Sequence, residues 1–286
     1  FADTVGIPAA RLFGIPSIST CHGFIENDRK LRWYNRLDRL VLRLANRVIA
    51  VSSGIRMELI ERGLNPDRIC TISNAVPDDL PVQALQRRRD EVREALGLER
   101  DTFVLGYVGR LSREKGVHCL IRALARVQDL PTQAILIGEG PDRAQLEALV
   151  GEQGLDKRVS FSGFQPQVSD WLPAFDLFVL PSLREGTPMS LLEAMAAGVP
   201  VLASSVGGVP QVIEHDVQGV LVPPGDVECL AGEIRGFYRD PDRRARLATS
   251  AKARVRRDYG IDPWVRRLEA EYRMLVLGHG RQGCPS

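Results

Sequence analysis

The sequence predicts an α/β protein built on two parallel, doubly wound sheets. Short apolar runs of strand length alternate with amphipathic segments of helix length, which is the pattern of parallel strands covered on both faces. The alternation pauses once, over the proline- and charge-rich residues 77–100, and then restarts. At 286 residues the chain is also longer than one core usually needs. With 44% hydrophobic and 26% charged residues and a formal net charge of +2, it has the composition of a soluble globular protein whose overall charge selects no partner class. The five cysteines (Cys21, Cys70, Cys119, Cys229, Cys284) are odd in number and never form C-x-x-C, so neither a disulfide framework nor a zinc site is expected. A reducing cytoplasm fits that usage. The long uncharged stretch after Glu193 is broken by prolines and glycines, which argues against a spanning helix.

The first half opens with a helix over Ala2 to Leu12, the run "PSIST" at Pro16 to Thr20 and a long helix over Leu31 to Ala45. The strand "RVIAVS" (Arg47 to Ser52), a helix from Ser53 and the strand "RICTIS" (Arg68 to Ser73) follow. Only three strands are visible where such a sheet normally has five or more, and the chain opens at Phe1 inside a helix or loop. The expectation is a first domain over residues 1–85 that lacks its amino-terminal portion. "QRRRDEVREALGLER" leads through a surface helix into a second domain over residues 86–258.

Six strands are expected there: "FVLGYVG", "AILIG", "VSFSG", "LFVLPS", "PVLAS" and "GVLVP". Together with the helical segments between them they make a complete doubly wound domain. The tail, residues 259–286, carries Trp264, Leu268, Tyr272 and Leu275 at helical spacing, hence one buried face that packs back on the first domain.

Chemistry concentrates in "PSLREGTPMSLLEAMAAG". Thr187 can cap a helix running from Pro188 to Ala197, with Gly198 as its left-handed stop. Glu193 then lies in the second turn and Glu185 in the preceding loop, while the N–H groups of Met189 and Ser190 face out of the helix end, where an anion is favoured. In "GRLSREKG", Arg110, Arg113 and Lys115 stand just ahead of another helix. Cations at a helix N-terminus cost about 0.3–1 kcal/mol each, so three of them point to a bound anion such as diphosphate. The alternative is a solvated basic loop neutralised by Glu114. "GEGPDRAQL" supplies Gly138 and Gly140 after a strand, but Arg143 replaces the third glycine of a dinucleotide fingerprint, and Pro141-Asp142 has the form of an ordinary helix start. "STCHGF" sets His22 and Gly23 directly after a strand end, facing a ligand crevice.

"GRLSREKGV", "LIGEGPDR", "SGF" and above all the Glu-x7-Glu segment "EGTPMSLLEAMAAGVPVLASSVGGVPQVI" resemble the donor-binding domain of retaining, family 4 glycosyltransferases of the GT-B fold. That fold is α/β, with two Rossmann-like domains facing a cleft, the first incomplete here. The resemblance implies a UDP- or GDP-linked sugar as donor, with its diphosphate on Arg110 and Lys115 and on the backbone of Met189, Ser190 and Leu191. Glu193 would take the ribose diol and Glu185 the hydroxyls of the transferred sugar. Donor contacts are further implied at Gly109, Gly138, Phe164 and Gly186, the base lying against backbone near Phe164 and Gln165. His22 would line the sugar-transfer centre, so the catalytic set is His22, Arg110, Lys115 and Glu185. Asn74-Ala75 departs from the family's usual Asn-Gly.

No metal or other cofactor is expected. "DPD" at Asp240 to Asp242 imitates the Asp-x-Asp of metal-dependent enzymes, but Asp240 and Pro241 suit a helix cap. The acceptor would be a glycan or a lipid-linked species. The basic segment 29–47 could touch an anionic membrane at the inner face, or simply be a solvated helix face; no nucleic-acid module accompanies the charge. Two alternatives to a transferase stand beside it: a non-catalytic or partner-dependent nucleotide-sugar-binding fragment, and a related sugar-nucleotide epimerase.

Overall fold

The computed structural model describes residues 2–22, 40–77, 82–99 and 101–280. Most of the expected helix over 31–45, the basic residues before 40, Gly23 and Cys284 lie outside the described residues. The chain divides into two compact units, Phe1–Ala75 with Ile261–Ser286, and Val76–Gly260.

In the first unit α1 (Ala2–Leu12) leads to β1 (Ile18–Cys21), and β2 (Arg47–Ala50), α2 (Ser53–Glu61) and β3 (Ile69–Thr71) follow. The three strands are parallel in the order β1-β2-β3. Ser52 starts α2 by accepting the Ile55 N–H on its hydroxyl at 3.2 Å, one of the orphan donors every helix must satisfy. Val48, Ala50, Leu59, Leu64 and Ile69 form the core beside Ile7 of α1.

The second unit begins with α3 (Val82–Ala95) and then alternates regularly. Its elements are β4 (Phe103–Val108), α4 (Val117–Arg126), β5 (Thr132–Ile137), α5 (Arg143–Glu152), β6 (Val159–Gly163), β7 (Leu177–Leu180), α6 (Met189–Ala196), β8 (Val201–Ser204), α7 (Val209–Val212), β9 (Val220–Val222), α8 (Val227–Arg239) and α9 (Pro241–Asp258). All six apolar runs are strands of one parallel sheet in the order β6-β5-β4-β7-β8-β9. Alternation along β4 feeds two cores. Leu105 and Tyr107 join Leu120, Leu124, Ile234 and Phe237 of α4 and α8 on one face, and Val104 and Val108 join Leu191, Leu192 and Met195 of α6 on the other. Each fully buried large aliphatic side chain stabilises the unit by about 1.5–3 kcal/mol.

Of three local expectations, two differ from the structure and one, the Asp240 cap, holds. α3 is no plain surface helix: Arg93 is buried and pairs with Asp176 at 3.1 Å, while Arg89 reaches the other carboxylate oxygen at 2.6 Å. Asp176 also accepts the Val104 N–H at 2.8 Å, so two arginines one helical turn apart fasten α3 to the start of β4 and β7. Asp240 accepts the Arg243 N–H at 2.8 Å with Pro241 at the first helical position, so the Asp-x-Asp lookalike caps α9. In α10 (Ile261–Gly280), which clusters with the first unit, Trp264, Leu268 and Leu275 are half-buried but Tyr272 is 53% exposed. Glu271 takes the inward position and pairs with Arg47 at 2.7 Å. At 100° per residue, position 271 lies nearer the centre of the 264–268–275 stripe than 272 does.

The second unit is closed at its ends, the Val76 N–H donating to the Tyr259 carbonyl at 2.9 Å. Among the described residues no helix is long and apolar enough to cross a membrane.

Candidate functional site

The strand order makes one crevice special. From β4 the chain crosses to β5 on one side and later returns as β7 on the other, so the carboxyl ends of β4 and β7 flank the switch point where open sheets bind ligands. Arg110 and Lys115 follow β4, and Glu185 follows β7.

Main-chain contacts lock these loops together. Leu183 and Arg184 donate their N–H groups to the Glu114 carbonyl at 2.8 and 3.2 Å. Gly116 turns left-handed, at φ 64°, into α4, and a Cβ there would lie 2.0 Å from the Pro181 carbonyl oxygen, so only glycine lets the loops close. Across this junction Lys115 Nζ donates to Glu185 Oε1 at 2.7 Å, and the buried Ser182 hydroxyl donates to the same oxygen at 2.8 Å. The Glu185 side chain is only 4% exposed. A third loop, after β8, backs the second: Gly208 donates its N–H to the Gly186 carbonyl at 3.1 Å, and Gly207, at φ 54°, leaves no room for a Cβ against the Glu185 carbonyl.

α6 begins at Met189 rather than Pro188. Pro188, at φ −74° and ψ 118°, is itself the N-cap and offers no side-chain acceptor, so the cap position falls one residue after the expected Thr187. The first N–H groups, on Met189, Ser190 and Leu191, remain directed out of the helix end. The Leu191 side chain is in the core, so its contribution to the site is backbone alone. Glu193, one turn on, is half-buried with no hydrogen bond to its carboxylate among the described residues, and burial raises its pKa above the ordinary carboxylate value.

Arg110 and Arg113 are exposed, and neither guanidinium has an ion pair among the described residues. Glu114 is ionised: the Ser112 hydroxyl at 2.7 Å lowers its pKa first, then backbone, with smaller contributions from Arg110 and Lys115. Its carboxylate thus offsets part of the loop's positive charge, as a plain basic loop would, but it does not occupy Arg110, Arg113 or Lys115 in a close pair.

The remaining candidates fall as follows. Gly109 donates its N–H to the Ile137 carbonyl at 3.0 Å and Gly138 donates to the Gly163 carbonyl at 2.8 Å. What approaches Gly138, at φ 136°, is the chain itself: a Cβ would stand 1.9 Å from the Gly109 carbonyl oxygen. Phe164, just past β6, is 74% exposed. His22 is exposed directly after β1, in the first unit. Ser182, Gly116, Gly207 and Tyr107 were not singled out in the sequence. The paired glycines of "SSVGGVP" were a visible signal, whereas a serine three residues before Glu185 gave none.

Fold and site together define a doubly wound α/β protein that gathers Lys115, Glu185 and the exposed Arg110 at the switch point of its second sheet. Residues 88–254 match the model of the glycosyl transferases group 1 family, and residues 1–80 match that of glycosyltransferase family 4. The chain belongs to the group 1 glycosyl transferases, and its fold is of the GT-B type. It is 31% identical over 247 residues to alpha-D-kanosaminyltransferase of Streptomyces kanamyceticus, covering 84% of this chain but 63% of that relative's length. Among solved structures, Anabaena HepE in complex with UDP superposes with a TM-score of 0.84 at 27% identity, over 96% of this chain and 76% of the other. The C-terminal domain of a glycosyl transferase group 1 family protein, LpcC, from Francisella tularensis superposes with a TM-score of 0.52 at 31% identity, over 56% of this chain and 87% of that one.

Proposed function

We propose that the chain binds a nucleotide sugar in the β4/β7 crevice and belongs to an enzyme that transfers the sugar to a glycan acceptor with retention of anomeric configuration. The observation that carries the proposal is the Lys115–Glu185 pair at 2.7 Å, which sets a cation suited to phosphate beside a carboxylate suited to sugar hydroxyls, within loops that mutual backbone contacts hold in place. UDP is the first nucleotide to try, because the Anabaena neighbour was solved with it.

In this proposal Arg110, Lys115 and the α6 N–H groups take the diphosphate, and stabilise the charge that develops on it as the glycosidic bond breaks. A carboxylate has two acceptor oxygens, which match the two hydroxyls of a ribose; Glu193 takes that role. Glu185 accepts from hydroxyls of the transferred sugar once Lys115 turns to phosphate. The two carboxylates orient the donor and do not relay protons, and His22 keeps the place at the transfer centre that the family resemblance implies. The fixed cations stand where other enzymes use a metal, so EDTA is expected to leave UDP release from UDP-glucose unchanged; loss of turnover restored by a divalent ion contradicts that part.

A second reading has its own support: the chain spans 63% of the length of the kanosaminyltransferase it matches, and a chain of this extent that holds donor without turning it over is a binding module. UDP release in the presence of acceptor extracts separates the two. Donor binding without release, on the chain and on its longest natural form, establishes the module.

A further inference from the structure

Tyr107 is fully buried at the carboxyl end of β4, in an apolar core with Leu111, Val117, Leu136 and Val179. A phenol in such surroundings needs a hydrogen-bond partner, and its hydroxyl donates to the Arg110 carbonyl at 2.9 Å. The same hydroxyl explains the residue between them: a Cβ on Gly109 would lie 2.7 Å from it. The Ser112 N–H reaches the Arg110 carbonyl as well, at 3.1 Å, so the turn that presents Arg110 is pinned from two sides. Burial, and after it the Glu185 and Glu114 carboxylates, raise the Tyr107 pKa, so the hydroxyl stays a donor.

We infer that Tyr107 is a positioning residue for phosphate recognition: without touching the ligand, its hydroxyl fixes the Gly109-Arg110 turn from below and so aims the exposed Arg110 guanidinium at the diphosphate. The inference rests on the donor-site proposal. A structural role alone would cost stability whatever the ligand; a positioning role reaches only the phosphate end, and only through Arg110.

The test is calorimetric titration of UDP and uridine against the full 286-residue chain and the variants Tyr107→Phe, Arg110→Ala and the double variant. Phe keeps the buried ring and removes one oxygen, and a thermal melt confirms that the variant is folded. Tyr107→Phe is expected to weaken UDP by about three- to tenfold, as the loss of one hydrogen bond does, and to leave uridine unchanged. In the Arg110→Ala background the same change is expected to have no further effect on UDP. Equal weakening of UDP and uridine, an unchanged UDP affinity, or the same loss in both backgrounds overturns the inference. Arg110→Ala itself tests the underlying proposal: if it leaves UDP binding intact, the donor assignment fails, and the role of Tyr107 fails with it.

Discussion

Glu193 is a half-buried carboxylate whose pKa burial has raised, so the folded protein binds a proton there more readily than the unfolded chain does. The resulting cost appears as pH climbs from the ordinary carboxylate value through the raised one, and it persists above. Glu193→Gln is therefore expected to raise the melting temperature at neutral pH, and to weaken UDP and uridine alike by about 1–3 kcal/mol, since the ribose is common to both. A lower melting temperature, or unchanged affinity by calorimetry, removes Glu193 from the site. In the wild-type chain UDP affinity should rise with pH across the same window, because the ionised form accepts both ribose hydroxyls. The place of Glu193 was legible in the sequence because Pro188 and Gly198 bound the helix to within a residue and leave Glu193 in its second turn. The partners of Glu185 were not, since Lys115 stands 70 positions away and only the sheet order makes them neighbours.

At the scale of elements, the three loops after β4, β7 and β8 act as one cradle, and glycines at their contacts set its fit. Gly207→Ala puts a Cβ 1.8 Å from the Glu185 carbonyl oxygen at a positive φ, and should cost more than the roughly 1–3 kcal/mol of backbone strain alone while weakening UDP binding. Gly232→Ala, inside α8 with open space around it, should have the opposite sign and stabilise by about 0.5–1 kcal/mol. Equal melting shifts for the two variants would sink the cradle. Every expected strand is present, and β4, β7 and β8, buried along their whole length, are continuous runs that need no knowledge of their neighbours. Helix ends were less legible: Pro188 fits the first position of a helix as well as its cap, and the extended ψ that decides between them comes from the neighbouring loops.

At the scale of the molecule, the proposed donor-binding residues other than His22 lie within Val76–Gly260, a unit whose two ends meet through Val76 and Tyr259. That segment is expected to fold alone and to bind UDP within about threefold of the whole chain; a drop of ten- to a hundredfold would assign part of the nucleotide site elsewhere. The α3 clamp is the corresponding stability element. Arg93→Ala would leave Asp176 short of a buried partner and should cost about 3 kcal/mol or more. A run of arginines carries no mark of which one turns inward, so α3 has the sequence of a surface helix and its clamp is not legible there. Tyr272 has the apolar type expected of the inward position of α10, whereas the Arg47 contact selects Glu271.

The central claim is that the loop after β4 recognises a diphosphate, and Lys115→Ala addresses it most directly. With folding checked by thermal melt, UDP and uridine are titrated against wild type and variant in one buffer. The predicted result is a UDP affinity lowered by about 1.5–3 kcal/mol, the worth of a hydrogen bond to a charged group, with uridine unmoved. Equal losses for both, or none for either, would contradict it.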